Sequence, residues 1–319
     1  MPHLRPFRFG IMNERAHAPG VWTAQARRAE NEGYATFLIR DHFLADPFGD
    51  QFAPIAALAT VAAVTTRLRV GTLVIDNDYR HPVVLAKEAA TLDVLSDGRF
   101  ELGLGAGWLR AEYERAGMSF DTAGVRIGRL EEAIHVIKGL FGQAPLTFAG
   151  RHYTIDALNG FPKPVQRPHP PILVGGGSPR ILRLAGRLAD TVGILTASVA
   201  TGVQVDDPAE RLASRTVEKL GWVREGAGAR FDERELSLVI TPLVTDARDA
   251  RADGLIRERA WTGVSVDDVL AMPSIFIGTV EQIVDEMLAR RARYGFSYFV
   301  VADRHLEAFG PVVARLAGR

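Results

Sequence analysis

The chain has 319 residues, enough for two average domains or for one α/β barrel, and 47 % of them are hydrophobic, as a sizeable core requires. Its 38 basic and 38 acidic side chains cancel, which leaves no net field to draw nucleic acid or an anionic membrane surface. The absence of Cys excludes disulfides, thiolate nucleophiles and Cys-ligated metals; no apolar run approaches membrane-spanning length, so a soluble cytoplasmic protein is expected.

Short apolar runs alternate with amphipathic helical stretches from end to end. Phe7 to Ile11 alternates as a strand should, and Trp22, Ala26 and Ala29 then mark one face of a helix. Strand two is Thr36 to Ile39, followed by a helix with Ile55, Leu58, Ala59 and Ala62 on one face. Strand three is Leu68 to Ile75, and Pro82 opens a helix carrying Leu85, Ala89 and Leu92. The turn Ser96-Asp97-Gly98 delivers strand four, with Phe100, Leu102 and Leu104 alternating, and a helix with Leu130, Ile134 and Ile137. Strand five is Pro171 to Val174, with Ile181, Leu184, Ala185 and Leu188 on its helix. Strands six and seven are Thr191 to Leu195 and Leu236 to Val244. Thr279 and Gln282 have capping-box spacing ahead of Val280, Ile283, Val284 and Met287. Strand eight is Tyr298 to Ala302, before a terminal helix with Leu306, Phe309 and Val313.

Eight βα units without a linker read as a closed parallel (β/α)8 TIM barrel, one domain over residues 1–319, with an open doubly wound sheet as the alternative. Two connections are too long for a plain barrel. Residues 143–170, after helix four, contain a hairpin-like segment from Thr147 to Tyr153 turning at Gly150; residues 245–278, after strand seven, include Trp261 and Met272.

A barrel works at the C-terminal ends of its strands. Three stretches there can carry chemistry. Ile39-Arg40-Asp41-His42-Phe43 ends strand two, where His42 suits orienting a ring cofactor or stabilising charge, and equally a structural pairing with Asp41 or backbone. Gly103-Leu104-Gly105-Ala106-Gly107-Trp108 ends strand four; its small residues admit a flat ring close to the backbone, or simply make a turn, and Trp108 lines a pocket or packs at its rim. Val174-Gly175-Gly176-Gly177-Ser178-Pro179 runs from strand five into a helix. Ser178 suits the N-cap and Pro179 the first turn, so free N–H groups there favour a phosphate, with a plain tight turn as the alternative.

Other chemistries find no support. No G-x-G-x-x-G follows the first strand, and there is no P-loop, no G-x-S-x-G and no metal-ligand spacing of His and carboxylates, so no metal is expected. His81 reads as a helix-start residue, His135 as a helix residue and His152 as part of the hairpin.

Taken together and in order, Phe37 to Phe43, Ser96 to Trp108, and Gly175 to Pro179 with Ala185 to Asp190 resemble the luciferase-like monooxygenase superfamily, in particular its coenzyme F420-dependent branch. The resemblance covers nearly the whole chain and is weakest over residues 200–275. It implies a deazaflavin ring over the barrel mouth, with His42 as the catalytic residue near its reactive carbon. Gly175, Gly176, Gly177 and Ser178 would hold the phosphate, with Asp41, Thr72, Leu73, Val74, Ala106 and Gly107 as further cofactor contacts and Trp108 in the substrate pocket. It also implies a non-prolyl cis peptide at Leu73–Val74 and a homodimer. The sugar-phosphate dehydrogenases of this branch place a Glu, the acid partner of the His, where Trp108 stands, and supply Lys to the sugar phosphate, whereas Thr191 to Ala200 contains none. These departures argue against glucose 6-phosphate and for an apolar or planar substrate. The expected function is therefore F420-dependent hydride transfer; the alternatives are an FMN-dependent monooxygenase on the same barrel and a catalytically silent flavin-binding barrel. A phosphosugar isomerase would want a Lys or Glu base at a strand end, and none stands out.

Overall fold

A computed structural model describes residues 5–319. Eight strands form its centre: β1 (Arg8–Asn13), β2 (Thr36–Ile39), β3 (Arg69–Thr72), β4 (Phe100–Gly105), β5 (Ile172–Gly176), β6 (Thr191–Ile194), β7 (Glu235–Val244) and β8 (Phe296–Ala302). Each is parallel to the next, and β8 pairs back with β1, so the sheet closes into a barrel. The alternating βα pattern is the cause, because a parallel pair needs a crossover and the crossover helix covers the outer face.

Those helices are α1 (Pro19–Asn31), α2 (Pro54–Val64), α3 (Pro82–Leu95), α4 (Ala123–Phe141), α5 (Pro179–Leu188), α6 (Ala213–Ala227), α7 (Val280–Tyr294) and α8 (Leu306–Leu316). Proline opens four of them, where a missing N–H costs nothing, and the expected Thr279/Gln282 capping box starts α7. The main core lies between strands and helices, where Phe9, Phe37, Phe100, Phe276 and Phe299 are fully buried.

Inside the barrel the two ends differ. At the floor, Arg8 bridges Glu101 (2.6 Å) and Glu235 (2.8 Å), Arg69 also bonds Glu101, and the Arg8 guanidinium lies 4.0 Å from the Tyr298 ring centroid. Above it, Met12, Leu38, Leu173, Tyr298 and Val300 form an apolar layer against Leu73 and Val74. The floor is thus closed by charge, and the layer above it is apolar.

The structure departs from the sequence reading in three places. Strand three is not continuous from Leu68 to Ile75: β3 ends at Thr72, and Ile75–Asp76 pairs β4 again after the Leu73–Val74 bond, which is cis as the resemblance implies. The connection after β6 holds a helix, α6, that apolar periodicity alone does not mark, because Thr216 and Lys219 share its buried face with Leu220 and Val223. Residues 245–278 are not an open loop. They form helices Arg248–Glu258 and Val266–Ala271 and a strand, Ile275–Gly278, paired with the end of β7. Trp261 and Met272 pack there in a small satellite core with Leu255 and Val269. The 143–170 insertion does contain the expected hairpin, Leu146–Ala149 with Thr154–Leu158.

Candidate active site

The C-terminal ends of β2, β3 and β4 bring His42, Asp76 and the glycine-rich stretch of β4 together at the mouth. His42 does not pair with Asp41. Its Nδ1 lies 3.0 Å from Oε2 of Glu112, on the short helix Arg110–Arg115 that follows β4. The Glu112 side chain is fully buried and its acceptor positions are filled. Oε1 accepts from the amides of Phe43 (2.6 Å) and Leu44 (3.0 Å), and Oε2 accepts from the Tyr79 hydroxyl (2.7 Å) as well as facing His42.

Burial pushes the Glu112 carboxyl up, but the His42, Leu44 and Tyr79 bonds outweigh it and hold it below the ordinary carboxylate value. An ionised carboxylate only accepts, so Nδ1 of His42 carries the proton toward it. Nε2 makes no hydrogen bond to any described residue and is left for a ligand. Around this ring stand Phe48 and Trp108, with centroids 5.1 and 5.8 Å away, and Phe48 and Trp108 face each other edge-on at 6.1 Å. The arrangement is a three-sided aromatic wall with one basic nitrogen in it.

Asp41 faces elsewhere. Its carboxylate takes Arg80 in a two-point contact (2.7 and 3.3 Å) and the Asp76 amide (3.2 Å), tying the end of β2 to that of β3. Asp76 itself is buried, accepts from Tyr113 (2.9 Å) and the Asp78 amide (2.9 Å), and is pushed up to about 7 by burial and the nearby Asp78 and Asp41 charges.

The glycines here answer to contacts. A Cβ on Gly103 would lie 1.9 Å from the Thr72 carbonyl, because the Thr72 hydroxyl both donates to and accepts from the Gly103 backbone (2.9 Å each) and draws the strands together. Gly107 has φ +71°, and a Cβ there would meet the Tyr113 hydroxyl at 1.8 Å. Cβ atoms on Gly105 and Gly175 would lie 2.6 and 3.4 Å from Val74 methyls, so Val74 sits between two stretches of bare backbone. Flat backbone flanking an apolar side chain fits an aromatic ring system. Ala106 is buried, its carbonyl accepting from Arg126 (3.1 Å).

Gly175, Gly176 and Gly177 are partly exposed and lead into α5, with Ser178 at its N-cap position and Pro179 first in the helix. The Ser178 side chain makes no capping bond, so the first amides of α5 and this hydroxyl are available to an anion. A Cβ on Gly176 would lie 2.4 Å from Ile181, and one on Gly177 would lie 3.1 Å from the Leu195 carbonyl. The loop is thus held close on both sides as the chain leaves the β5–β6 ladder, in which Gly175 and Gly176 pair with Gly193 and Ile194. Beneath it the buried Lys219 bonds the Leu195 carbonyl (2.7 Å) and pairs with Glu210 (2.7 Å).

Sequence reasoning missed Glu112, Tyr79 and Phe48. It looked for an acid partner of His42 at position 108 and found Trp; the structure supplies a carboxylate four residues later. Leu109 and Tyr113, both buried and spaced i, i+4, are the signal that this turn faces inward with Glu112. Among the described residues no His, Cys, Asp and Glu group is arranged for a metal, and no helix is long and apolar enough to cross a membrane.

A closed parallel barrel with a His–carboxylate pair and a glycine loop at its mouth has room and groups for a ring cofactor. Comparison with known proteins agrees. The profile of the luciferase-like monooxygenases matches residues 3–219, so the chain belongs to the luciferase-like monooxygenase family. It is 32 % identical over 249 residues to an F420-dependent glucose-6-phosphate dehydrogenase of Kineococcus radiotolerans, covering 73 % of each chain. It is 29 % identical over 317 residues to an FMNH(2)-dependent dimethylsulfone monooxygenase of Pseudomonas fluorescens, covering 91 % of this chain and 85 % of that one. Its fold matches that of the coenzyme F420-dependent tetrahydromethanopterin reductase of Methanopyrus kandleri (TM-score 0.75, 19 % identity, 98 % and 99 % covered).

Proposed function

We propose that the chain is a deazaflavin-dependent oxidoreductase that uses coenzyme F420 for hydride transfer to or from a small planar or apolar substrate. The observation that carries this reading is the buried Glu112 carboxylate 3.0 Å from Nδ1 of His42, which leaves Nε2 free among aromatic side chains at the barrel mouth. When bound, the ring supplies or accepts the hydride. His42 Nε2 takes the proton of a substrate hydroxyl as the hydride leaves the adjacent carbon, or returns it in the reverse direction. Glu112 fixes the imidazole's orientation and tautomer and stabilises the cation it becomes. Phe48 and Trp108 exclude water and take a planar or apolar substrate. Thr72, Leu73, Val74, Ala106 and Gly107 shape the surface behind the ring, Asp41 braces it through Arg80, and Gly175, Gly176, Gly177 and Ser178 hold the phosphate.

A second reading, an FMN-dependent monooxygenase, is favoured by the similarity to the dimethylsulfone monooxygenase over 91 % of the chain. Anaerobic assays with F420 and a panel of alcohols, and with reduced F420 and planar enones, separate the two by following the deazaflavin's visible band. The expected result is turnover that falls by about 10²–10⁴ in His42→Ala. Turnover only with reduced FMN and oxygen would establish the second reading, and no turnover with either would leave a silent flavin-binding barrel.

A further inference from the structure

The hairpin inserted after α4 has no part in the site above, yet its turn forms one wall of a cavity of about 500 Å³. The other walls are the first three turns of α4 and the start of α5, and the lining includes Gly124, Gly128, Arg151, His152 and Arg180 together with the acidic Glu131 and Glu132. Gly124 and Gly128 are one turn apart and present bare helix backbone as its floor. Two groups converge over that floor. The Arg180 Nη1 lies 2.8 Å from where a Gly124 Cβ would be, and Arg180 Nη2 and His152 Nε2 lie 3.8 and 3.6 Å from the corresponding point on Gly128.

With Glu131 paired to Arg187, the cavity sets Arg151 and Arg180 against the one carboxylate of Glu132, a balance of one positive charge. Glu132 is spent on the hairpin turn, accepting from the amides of Arg151 (2.8 Å), His152 (2.8 Å) and Tyr153 (3.1 Å), and Glu131 pairs with Arg187. Arg151 and Arg180 have no carboxylate partner among the described residues, although most arginines of this chain are in ion pairs. Glu132 therefore pins the turn, and Arg151, His152 and Arg180 line one space. Guanidinium forks match carboxylate and phosphate oxygens.

Position supplies the last step. Arg180, which lines the cavity, follows Ser178 by two residues, so the cavity and the glycine loop share the first turn of α5. We propose that this cavity is a second anion subsite, which takes a carboxylate or phosphate carried beyond the phosphate held at Gly175–Ser178. The inference rests on the reading of that loop as a phosphate cradle. A ligand ending at its first phosphate leaves the subsite unused; one with a longer acidic extension gains from it.

Dissociation constants for four probes test this, measured on the wild-type protein and on Arg151→Ala/Arg180→Ala. Two are deazaflavins, F420 with its acidic tail and the same ring system ending at the phosphate; two are flavins, FAD with a second phosphate and FMN without. For whichever ring binds, the extended member should bind wild type at least tenfold tighter than the short one. That preference should disappear in the double variant, with the short probe's affinity unchanged, and should shrink in high salt. A deazaflavin preference names a carboxylate tail as the source, and a flavin preference a second phosphate. Equal affinities within a pair in wild type, or a preference that survives the double variant, overturn the subsite while leaving the ring site standing. Failure of all four to bind overturns both.

Discussion

Glu112 and His42 come from different βα units, on elements that follow β4 and β2, and meet at 3.0 Å with the carboxylate buried and fully hydrogen-bonded. The pair is directional. An ionised Glu112 forces the imidazole proton onto Nδ1, while the Phe43 and Leu44 amides keep the carboxylate from turning. Glu112→Gln tests the direction without emptying the space. The amide oxygen can keep the two backbone bonds, which leaves the NH₂ to face His42 and drives the proton to Nε2. Imidazole nitrogen chemical shifts should report this switch of tautomer. Turnover should fall toward that of His42→Ala with cofactor affinity little changed. A variant that keeps both tautomer and rate would show Glu112 to be packing alone.

The phosphate loop can be tested by charge. Gly176→Asp puts a carboxylate among the proposed phosphate contacts but also meets Ile181 at 2.4 Å, so Ser178→Asp is the companion, because residue 178 is exposed and makes no capping bond. Both should raise the dissociation constant of a phosphate-bearing cofactor at least tenfold and leave riboflavin, which has no phosphate, unaffected. Equal losses for both ligands would mean that the loop shapes the ring site only.

Much of this was legible in the sequence. All eight barrel strands follow from short apolar runs, because strands buried on both faces have no other reading once helices alternate with them. The break in the third strand was not legible from apolar pattern: Leu68 to Ile75 reads as one run, and only the Thr72 hydroxyl bonded to the Gly103 backbone shows where pairing passes from one segment to the next. Helix α6 was hidden by inward-facing Thr216 and Lys219, whose burial depends on a Glu210 partner and the Leu195 carbonyl brought there by the fold. Glu112 was hidden for the same reason. Its partners Phe43, Leu44, His42 and Tyr79 are remote in sequence, and a lone Glu on a short helix carries no local mark of them.

Asp76 makes stability depend on pH. Its carboxyl is pushed up to about 7 by burial, against roughly 3.9 in an unfolded chain. Between those values the folded protein holds a proton that the unfolded chain has lost, so this group's contribution to stability falls as pH rises from about 4 to about 7 and is flat above. Asp76→Asn cannot ionise and lacks that slope. The variant should therefore gain on wild type by an amount on the order of a few kcal/mol as pH rises from about 4.5 to 7.5. Urea midpoints at several pH values measure this, and a wild-type-to-variant difference independent of pH would place the Asp76 carboxyl in the ordinary range.

The most direct measurement of the central claim is a side-by-side titration of the purified protein with F420 and with FMN, followed by the fluorescence of each ring. A deazaflavin enzyme should bind F420 at least tenfold more tightly than FMN, and Ser178→Asp should weaken that binding. FMN bound as tightly as F420, or more so, would contradict the deazaflavin assignment and turn the same barrel, with the same His42–Glu112 pair, into a flavin monooxygenase.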